Sequence, residues 1–135
     1  MHSTSPTISK AMLQKVSVVI PAKNEERSIA EVIEGCKKVA GEVLVVDGHS
    51  RDKTREVSGK LGVKVVLDNK KGKGDAIRVG VENVSGDVIA FIDADGSHDP
   101  RDIPSLVAPI LSGTADHVTG SRMLGGSDEL HGDIG

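Results

Sequence analysis

The chain has 135 residues with a formal net charge of −3, which fits one domain and gives no electrostatic reason to expect nucleic acid or an anionic membrane as a partner. Phe91 is its only aromatic residue, which argues against nucleic-acid stacking platforms and membrane-interface belts. A single cysteine, Cys36, excludes an internal disulfide and a cysteine-built metal site. The uninterrupted apolar runs reach about five residues, whereas a membrane span needs ~20. We therefore expect a soluble, intracellular protein without a membrane span.

Short apolar runs alternate with amphipathic stretches along most of the chain. The polar segment 1–14 contains Pro6, shows no periodicity and is predicted to be a mobile leader. Beyond it, five runs rich in Val and Ile predict strands that are covered on both faces, because they do not alternate with polar residues. The runs are residues 16–20, 43–46, 63–67, 88–92 and a weaker one at 117–119.

Two apolar stripes at helical spacing predict helices between these strands. They lie within residues 29–40 and 103–111. Asp99 and Pro100 supply an N-cap and a first-turn proline for the second helix, and Pro104 and Pro109 predict that this helix is irregular. The alternation of strand and helix predicts an α/β fold, a mostly parallel open sheet with helices on both faces. Ligands of such sheets bind beyond the carboxyl ends of the strands.

Polar clusters follow four of the five predicted strands at the end where a ligand would bind. They are residues 21–26, 47–54, 93–100 and 120–122. Turn and cap chemistry explains any one cluster, and Ser50 and Asp52 could serve as caps for the helix that follows them. Four clusters that converge on one edge of the sheet favour a binding site.

The segment Asp93-Ala94-Asp95 is the most informative cluster. In an extended chain residues i and i+2 project to the same side, so the two carboxylates are expected to be neighbours. At ~5 Å and an effective dielectric constant of ~20 they repel by about 3 kcal/mol. A bound Mg²⁺ or Mn²⁺ would relieve that repulsion, since both ions prefer carboxylate and phosphate oxygens. The alternative is that one of the two carboxyl groups is protonated or solvated.

Glycines and lysines are interleaved in residues 69–74, ahead of a helical stretch. Backbone amides and positive charge at a helix entrance can hold an anion, and Lys73, between two glycines, is the candidate for this role. For Lys70 and Lys71 a solvated basic loop is an equal alternative. The segment is neither a Walker loop nor a GxGxxG fingerprint.

Taken in order, these segments resemble the motifs of family 2 glycosyltransferases with the GT-A fold, and most closely the dolichyl- or polyprenyl-phosphate mannose synthase-like enzymes. The resemblance runs from Lys15 to Arg122. The matching segments are VSVVIPAKNEE, VLVVDGHSRDKT, the Gly72–Ala76 stretch, VIAFIDADGSHDP and Gly120-Ser121-Arg122. The resemblance implies a Rossmann-like, nucleotide-binding half of a GT-A fold.

The resemblance also implies roles for individual residues. Asp93 and Asp95 would be the catalytic DxD element and would hold the metal on the donor diphosphate, with Ser97 as a third ligand. Arg122 would lie near a donor or acceptor phosphate. The residues implied to line the donor site, with the Lys73 noted above, are Pro21, Ala22, Asn24, Glu25, Val46, Asp47, Asp93, Ala94 and Asp95.

Three positions depart from the family pattern. Gly48 stands where many members carry a second acid, Ser97 where glutamine is frequent, and Lys23 where an aromatic residue is frequent. The Gly48 departure affects contacts to the nucleobase or ribose. A serine at position 97 reaches less far than glutamine and would act on a metal through water.

The implied function is metal-dependent, inverting transfer of a hexose from a nucleotide-diphosphate sugar of the GDP-mannose or UDP-glucose type to a polyprenyl or dolichyl phosphate. We expect a donor-binding domain at 15–122 and a flexible tail at 123–135, where the chain is predicted to be truncated. The resemblance places the full-length protein at the cytoplasmic face of a membrane. The alternatives are a nucleotide-sugar-binding module without turnover and a nucleotidyltransferase. The segment Pro21–Glu25 counts against the latter, because such enzymes open with a glycine-rich, arginine-containing loop.

Overall fold

A computed structural model of the chain describes residues 10–111, 118–119 and 124–125. The predicted α/β class is confirmed. The helices are α1 Lys10–Leu13, α2 Ile29–Lys37, α3 Thr54–Lys60, α4 Lys73–Glu82 and α5 Ile103–Leu111, the last preceded by a 3-10 turn at Pro100–Asp102. The strands are β1 Val16–Ala22, β2 Glu42–Asp47, β3 Lys64–Leu67, β4 Val88–Phe91, β5 Val118–Thr119 and β6 Leu124–Gly125.

Four of the strands form a parallel sheet in the order β3-β2-β1-β4. Ala22 pairs with Asp47, which in turn pairs with Leu67, so the ends of β1, β2 and β3 lie level at one edge. The polar segments that follow these strands therefore start side by side, as expected of a parallel open sheet. Strands β5 and β6 form a separate antiparallel pair.

Helices cover both faces of the sheet, which is why the strands are apolar without alternation. On one face α2 and α5 pack against β1 and β4 through residues that include Ile33 and Ile103, and Val57 of α3 joins them. On the other face α4 packs against β1 and β2 through Ala76 and Ile77. The predicted strands at 16–20, 43–46, 63–67 and 88–92 all lie in this sheet. The prediction that 63–67 is covered on both faces is wrong, because β3 lies at the edge of the sheet and its Leu67 is 48% exposed.

The contact between α4 and β1 is close because α4 carries Gly80 where it crosses the strand. A Cβ atom on Gly80 would lie 2.5 Å from Cγ1 of the fully buried Val19. Such a separation is far below a normal carbon–carbon contact, so only glycine fits here. This crossing fixes the height of α4 above the sheet and with it the position of the N-terminal end of the helix.

Cys36 lies on the buried side of α2 and has no exposed surface. Its packing role agrees with its place on the apolar stripe of the sequence. Burial in apolar surroundings raises the pKa of its thiol to about 12, because the thiolate would lose its hydration there.

The ends of the described chain differ in detail from the predictions. Residues 10–13, inside the segment predicted to be a mobile leader, form the helical turn α1, and Leu13 packs against the core. Asp99 caps as predicted, with its carboxylate accepting from Arg101 N at 2.9 Å, but it caps the 3-10 turn that leads into α5. Pro104 falls in the first helical turn, where its missing N–H costs little. Among the described residues, no helix is long and apolar enough to cross a bilayer.

Candidate functional site

A cleft of about 610 Å³ opens at the carboxyl edge of the sheet, beside the N-terminal end of α4. Four of its lining side chains are cationic, which makes it suited to an anionic ligand. Pro21, Ala22, Val46 and Lys73 line it, and all four were predicted to contact a donor. The remaining lining residues are Lys23, Gly48, His49, Arg51, Asp68, Lys70, Gly72 and Ala76.

The carboxylate of Asp47, at the end of β2, is fully buried and is bound by its own loop. Its Oδ2 accepts hydrogen bonds from Ser50 N at 2.8 Å and from Arg55 Nη1 at 2.9 Å. Its Oδ1 accepts from the Ser50 hydroxyl at 2.6 Å. A buried carboxylate with three donors is satisfied, so Asp47 shapes the loop that borders the cleft.

The loops after β1 and β2 are locked together by side-chain bonds to backbone amides. Asn24 N donates to Ser50 Oγ at 2.8 Å, and Asn24 Oδ1 accepts from Arg51 N at 2.8 Å. Glu25 N donates to Thr54 Oγ1 at 2.9 Å. Asn24 has a φ of 55°, a left-handed conformation that asparagine tolerates better than most residues. Asn24 was predicted to contact the sugar donor. In the structure its side-chain oxygen binds the backbone of the neighbouring loop.

Neither Ser50 nor Asp52 is the N-cap of α3, which is Lys53, but Asp52 does bind the first turn of this helix. Asp52 accepts from Thr54 N at 2.9 Å, at the start of α3, and also from Glu26 N at 3.2 Å. Ser50 does not cap α3 but connects Asp47 to Asn24. Sequence reasoning missed the structural role of Thr54, whose only signal was its place in the polar run 47–54, and that of Arg55, which directly follows this run.

The glycine-lysine segment is anchored by Asp75, in the first turn of α4. The Asp75 carboxylate accepts from the backbone and side-chain amides of Asn69, at 2.6 and 3.0 Å, and from Arg78 at 3.0 Å. The hydrogen bonds from Asn69, followed by the charge of Arg78, lower the pKa of Asp75.

This anchored segment directs two of its three lysines to the cleft. Lys70 has a φ of 61°, and Gly72, directly before α4, has a φ of 93°, a conformation that favours glycine. Lys70 and Lys73 line the cleft, whereas Lys71 does not. All three lysines are exposed, so Lys70 remains open to either interpretation, whereas Lys71 fits the solvated loop.

Asp93 and Asp95 lie on the loop directly after β4. Asp95 is exposed, and its Oδ1 accepts from Ser97 N at 2.9 Å. Between them Ala94 is buried, and its carbonyl accepts from the Ser28 hydroxyl at 2.7 Å. The loop is thus tied to the start of α2. Ser97 is exposed and contacts Asp95 through its backbone amide.

Acidic groups concentrate between this loop and the loop after β1. The pKa of Glu25 is raised by partial burial and by the negative charges of Asp95, Asp52 and Asp93, in that order. Within the described part of the chain, no group of three His, Cys, Asp or Glu side chains is placed to hold a metal ion alone. The two carboxylates fit a hard cation that completes its coordination with ligand oxygens and water, which is how Mg²⁺ is usually bound.

The predicted site residues thus fall into three groups. One group lines the cleft and a second ties the loops together. The third group is Asp93 and Asp95, on the loop after β4. Together with Glu25, on the loop after β1, they form an acidic region. Arg122 lies outside the described residues.

A sequence profile described as Glycosyl transferase family 2 matches residues 17–133 of the chain. The chain belongs to glycosyltransferase family 2. Family membership explains why the cleft and the acidic loop share one edge of the sheet, as the motif order had implied.

Two curated relatives show how much of a longer protein the chain covers. An uncharacterised glycosyltransferase of Mycobacterium tuberculosis is 44% identical over 108 residues, covering 79% of this chain and 48% of the relative. The dolichol-phosphate mannosyltransferase of Pyrococcus furiosus is 38% identical over 121 residues, covering 83% of this chain and 34% of the relative. The chain therefore spans half or less of the length of these relatives.

A solved structure of another glycosyltransferase is similar to this one. Glucosyl-3-phosphoglycerate synthase of Mycobacterium tuberculosis, with Mn²⁺, UDP-glucose and phosphoglyceric acid, has a TM-score of 0.69 and 31% identity, covering 81% of this chain and 45% of the synthase. Other structures of that synthase contain UDP with Mn²⁺ or Mg²⁺. The similarity confirms the predicted nucleotide-binding half of a GT-A fold.

Proposed function

We propose that the chain binds a nucleotide-diphosphate hexose together with Mg²⁺ or Mn²⁺, as the donor part of a hexosyltransferase. The observation that supports this most is the pairing of two oppositely charged features at one edge of the sheet. A cation-lined cleft follows β1, β2 and β3, and a pair of carboxylates follows β4. A ligand that is itself an anion and binds a divalent cation satisfies both.

Asp93 and Asp95 are the residues that would hold the metal. Their negative charge already raises the pKa of Glu25, so a cation bound here would relieve the electrostatic repulsion among these carboxylates. A bound divalent ion supplies Lewis-acid stabilisation of the charge that develops on the leaving diphosphate. Ser97, exposed beside Asp95, would reach the ion through water.

Among the cations of the cleft, Lys73 would hold the donor phosphates. Lys73 stands at the first position of α4 behind Gly72, where backbone amides of the helix and the lysine charge act in the same direction. Lys70 and Arg51 add charge from the neighbouring loops. Pro21, Ala22 and Val46 provide the apolar wall, and Asn24 and Asp47 hold the loops that carry it. Arg122 is proposed to contact a donor or acceptor phosphate.

The proposed reaction is transfer of the hexose to a polyprenyl or dolichyl phosphate with inversion. The bond from the anomeric carbon to the donor diphosphate breaks, a bond to an acceptor phosphate oxygen forms, and the nucleoside diphosphate leaves with the electron pair. A phosphate acceptor is anionic near neutral pH and needs no general base. Support comes from the Pyrococcus relative, a dolichol-phosphate mannosyltransferase. Such an acceptor would place the whole protein at the cytoplasmic face of a membrane.

A second candidate acceptor is a small phosphorylated acid. It is favoured by the structural similarity to glucosyl-3-phosphoglycerate synthase, whose crystals contain phosphoglyceric acid. The donor site is the same for both acceptors. A comparison of polyprenyl phosphate and phosphoglycerate as acceptors for the same donor separates the two.

The donor proposal is tested by thermal unfolding with UDP-glucose or GDP-mannose and MnCl₂. Ligand at 100 times its dissociation constant adds about 2.7 kcal/mol to the free energy of unfolding, which raises the melting temperature. Asp95→Asn should abolish the part of this rise that depends on metal. Asp87→Asn, a matched change at an exposed residue before β4, should leave it intact. No rise with any nucleotide sugar in the presence of metal overturns the proposal.

A further inference from the structure

Asp68 is the first residue after β3, and it lines the cleft. The donor contacts proposed above do not use its carboxylate. Its side chain is 11% exposed. The Oδ1 atom accepts from Lys70 N at 3.0 Å and lies 3.5 Å from Nε2 of His49. Among the described residues, no side chain or backbone amide donates a hydrogen bond to Oδ2. One acceptor atom of a nearly enclosed carboxylate is therefore left for a ligand.

His49 fixes the surroundings of this carboxylate. Its Nε2 lies 2.8 Å from the backbone carbonyl of Asp68, and a carbonyl only accepts, so Nε2 carries the proton. The backbone of His49 is left-handed, with a φ of 64°. The loop after β2 is thus bent over the end of β3 and holds Asp68 at the floor of the cleft.

Gly48 leaves open the space in front of Asp68. A Cβ atom on Gly48 would lie 3.5 Å from Oδ2 of Asp68, which is an ordinary van der Waals contact. The space between Gly48 and the Asp68 carboxylate could therefore hold a small side chain without a clash. An acidic side chain at position 48 would bring a second carboxylate beside the first, and the two would repel. The site is built for one carboxylate, and the end of β3 supplies it.

The strand order shows which part of a donor reaches this point. In the order β3-β2-β1-β4 the acidic pair after β4 and Asp68 after β3 stand at opposite ends of the edge. Three strand spacings separate them, about 14 Å. With the diphosphate at Asp93 and Asp95, as proposed above, a nucleotide that extends along this edge would bring its base to Asp68.

We infer that Asp68 reads the nucleobase of the donor by accepting a hydrogen bond from a ring N–H. Uracil and guanine present such a donor, whereas cytosine and adenine present a ring nitrogen lone pair at the corresponding edge. A carboxylate that faces this ring atom attracts the N–H of uracil or guanine and is repelled by the lone pair of cytosine or adenine, so Asp68 favours uridine and guanosine diphosphate sugars. This inference rests on the proposed donor function and adds a specificity-determining residue to it.

The test measures dissociation constants of UDP, GDP, CDP and ADP for the 135-residue chain by calorimetry with MnCl₂. The unchanged chain should bind UDP or GDP about tenfold or more tightly than CDP and ADP, the value of one hydrogen bond to a charged group. Asp68→Asn keeps an oxygen for Lys70 N and removes the charge, so this ratio should fall toward one. Asp87→Asn should leave it unchanged. If Asp68→Asn does not fold, Asp68→Ser gives the same comparison with a hydroxyl acceptor.

The outcomes separate the inference from the function on which it rests. Binding of diphosphates with the same base preference in Asp68→Asn overturns the role of Asp68 and leaves the donor function standing. An equal loss of affinity for all four nucleotides also overturns it, because it shows a structural role alone. Absence of binding by the unchanged chain overturns the donor function and the inference together.

Discussion

The hydroxyl of Ser50 donates to the buried carboxylate of Asp47 at 2.6 Å and accepts from the amide of Asn24 at 2.8 Å. It thereby joins the loops after β1 and β2. Ser50→Ala removes a partner from each of these groups, and we expect a loss of about 1–3 kcal/mol in the free energy of unfolding. Urea denaturation measures this loss. Ser105→Ala, on the exposed side of α5, is the control, and an equal effect of both changes would contradict the role of Ser50.

Two glycines of α4 should respond in opposite directions to the same substitution. Gly80→Ala places a Cβ 2.5 Å from Val19 Cγ1, and overpacking of this kind costs about 1–3 kcal/mol. Gly74→Ala meets no atom within 4 Å and should stabilise by about 0.5–1 kcal/mol, because alanine loses less backbone entropy in a helix. Thermal unfolding of the two variants checks the signs. A stabilising Gly80→Ala would show that α4 can move off the sheet without cost.

Lys73 and Lys71 provide a matched pair for the charge of the cleft. Lys73 lines the cleft and Lys71 does not, although they are two residues apart. Lys73→Ala should weaken binding of a nucleoside diphosphate about three- to tenfold, because a charge-assisted contact to phosphate is lost. Lys71→Ala should change the dissociation constant little. Calorimetry at fixed ionic strength is the measurement, and equal losses would indicate a general field instead of a site.

Glu42 should make the stability depend on pH in the acid range. Hydrogen bonds from Ser85 N, at 2.9 Å, and from Ser17 Oγ, at 2.7 Å, hold its pKa below the ordinary value of 4.5. The stabilisation is therefore complete above pH 4.5 and is lost as the pH falls through the lower pKa of the folded state.

Glu42→Gln removes that dependence. Its loss of stability relative to the unchanged chain should be about 1 kcal/mol at pH ~7 and should shrink toward pH ~3. Glu82→Gln, at an exposed position of α4, should show no such trend. Denaturant unfolding at several pH values measures both differences, and a Glu42→Gln difference that does not vary with pH would refute the assignment. The contribution of Glu25, whose raised pKa acts in the opposite direction, cancels in the comparison.

Most of the sheet could be predicted because β1, β2 and β4 are covered on both faces. Continuous apolar runs such as 16–20 and 88–92 are too short for buried helices and are rich in β-branched residues, so they indicate buried strands. The parallel order then places the strand ends together. The only sequence signal for helix α3 was the pair of possible cap residues Ser50 and Asp52. Two of its buried residues, Thr54 and Ser58, are polar and form no apolar stripe.

The sequence does not show which polar residues of the site bind the neighbouring loops and which line the cleft. Nothing in the run 47–54 shows that the Asp47 carboxylate is consumed by Ser50 and Arg55, because the bonds depend on how the loop folds back. Asp68 was overlooked for the opposite reason. It follows the one strand of the parallel sheet without a marked polar cluster, and only the bend of the loop at His49 brings it into the cleft.

The burial of Cys36 gives the protein an internal reporter of opening. The chain has one thiol, and it lies between α2 and the sheet with no exposed surface. An alkylating reagent can reach it only when α2 separates from the strands, and the raised pKa keeps the folded thiol unreactive at neutral pH. The rate of labelling of this single atom therefore measures how often the α2 side of the sheet opens, with no engineered probe.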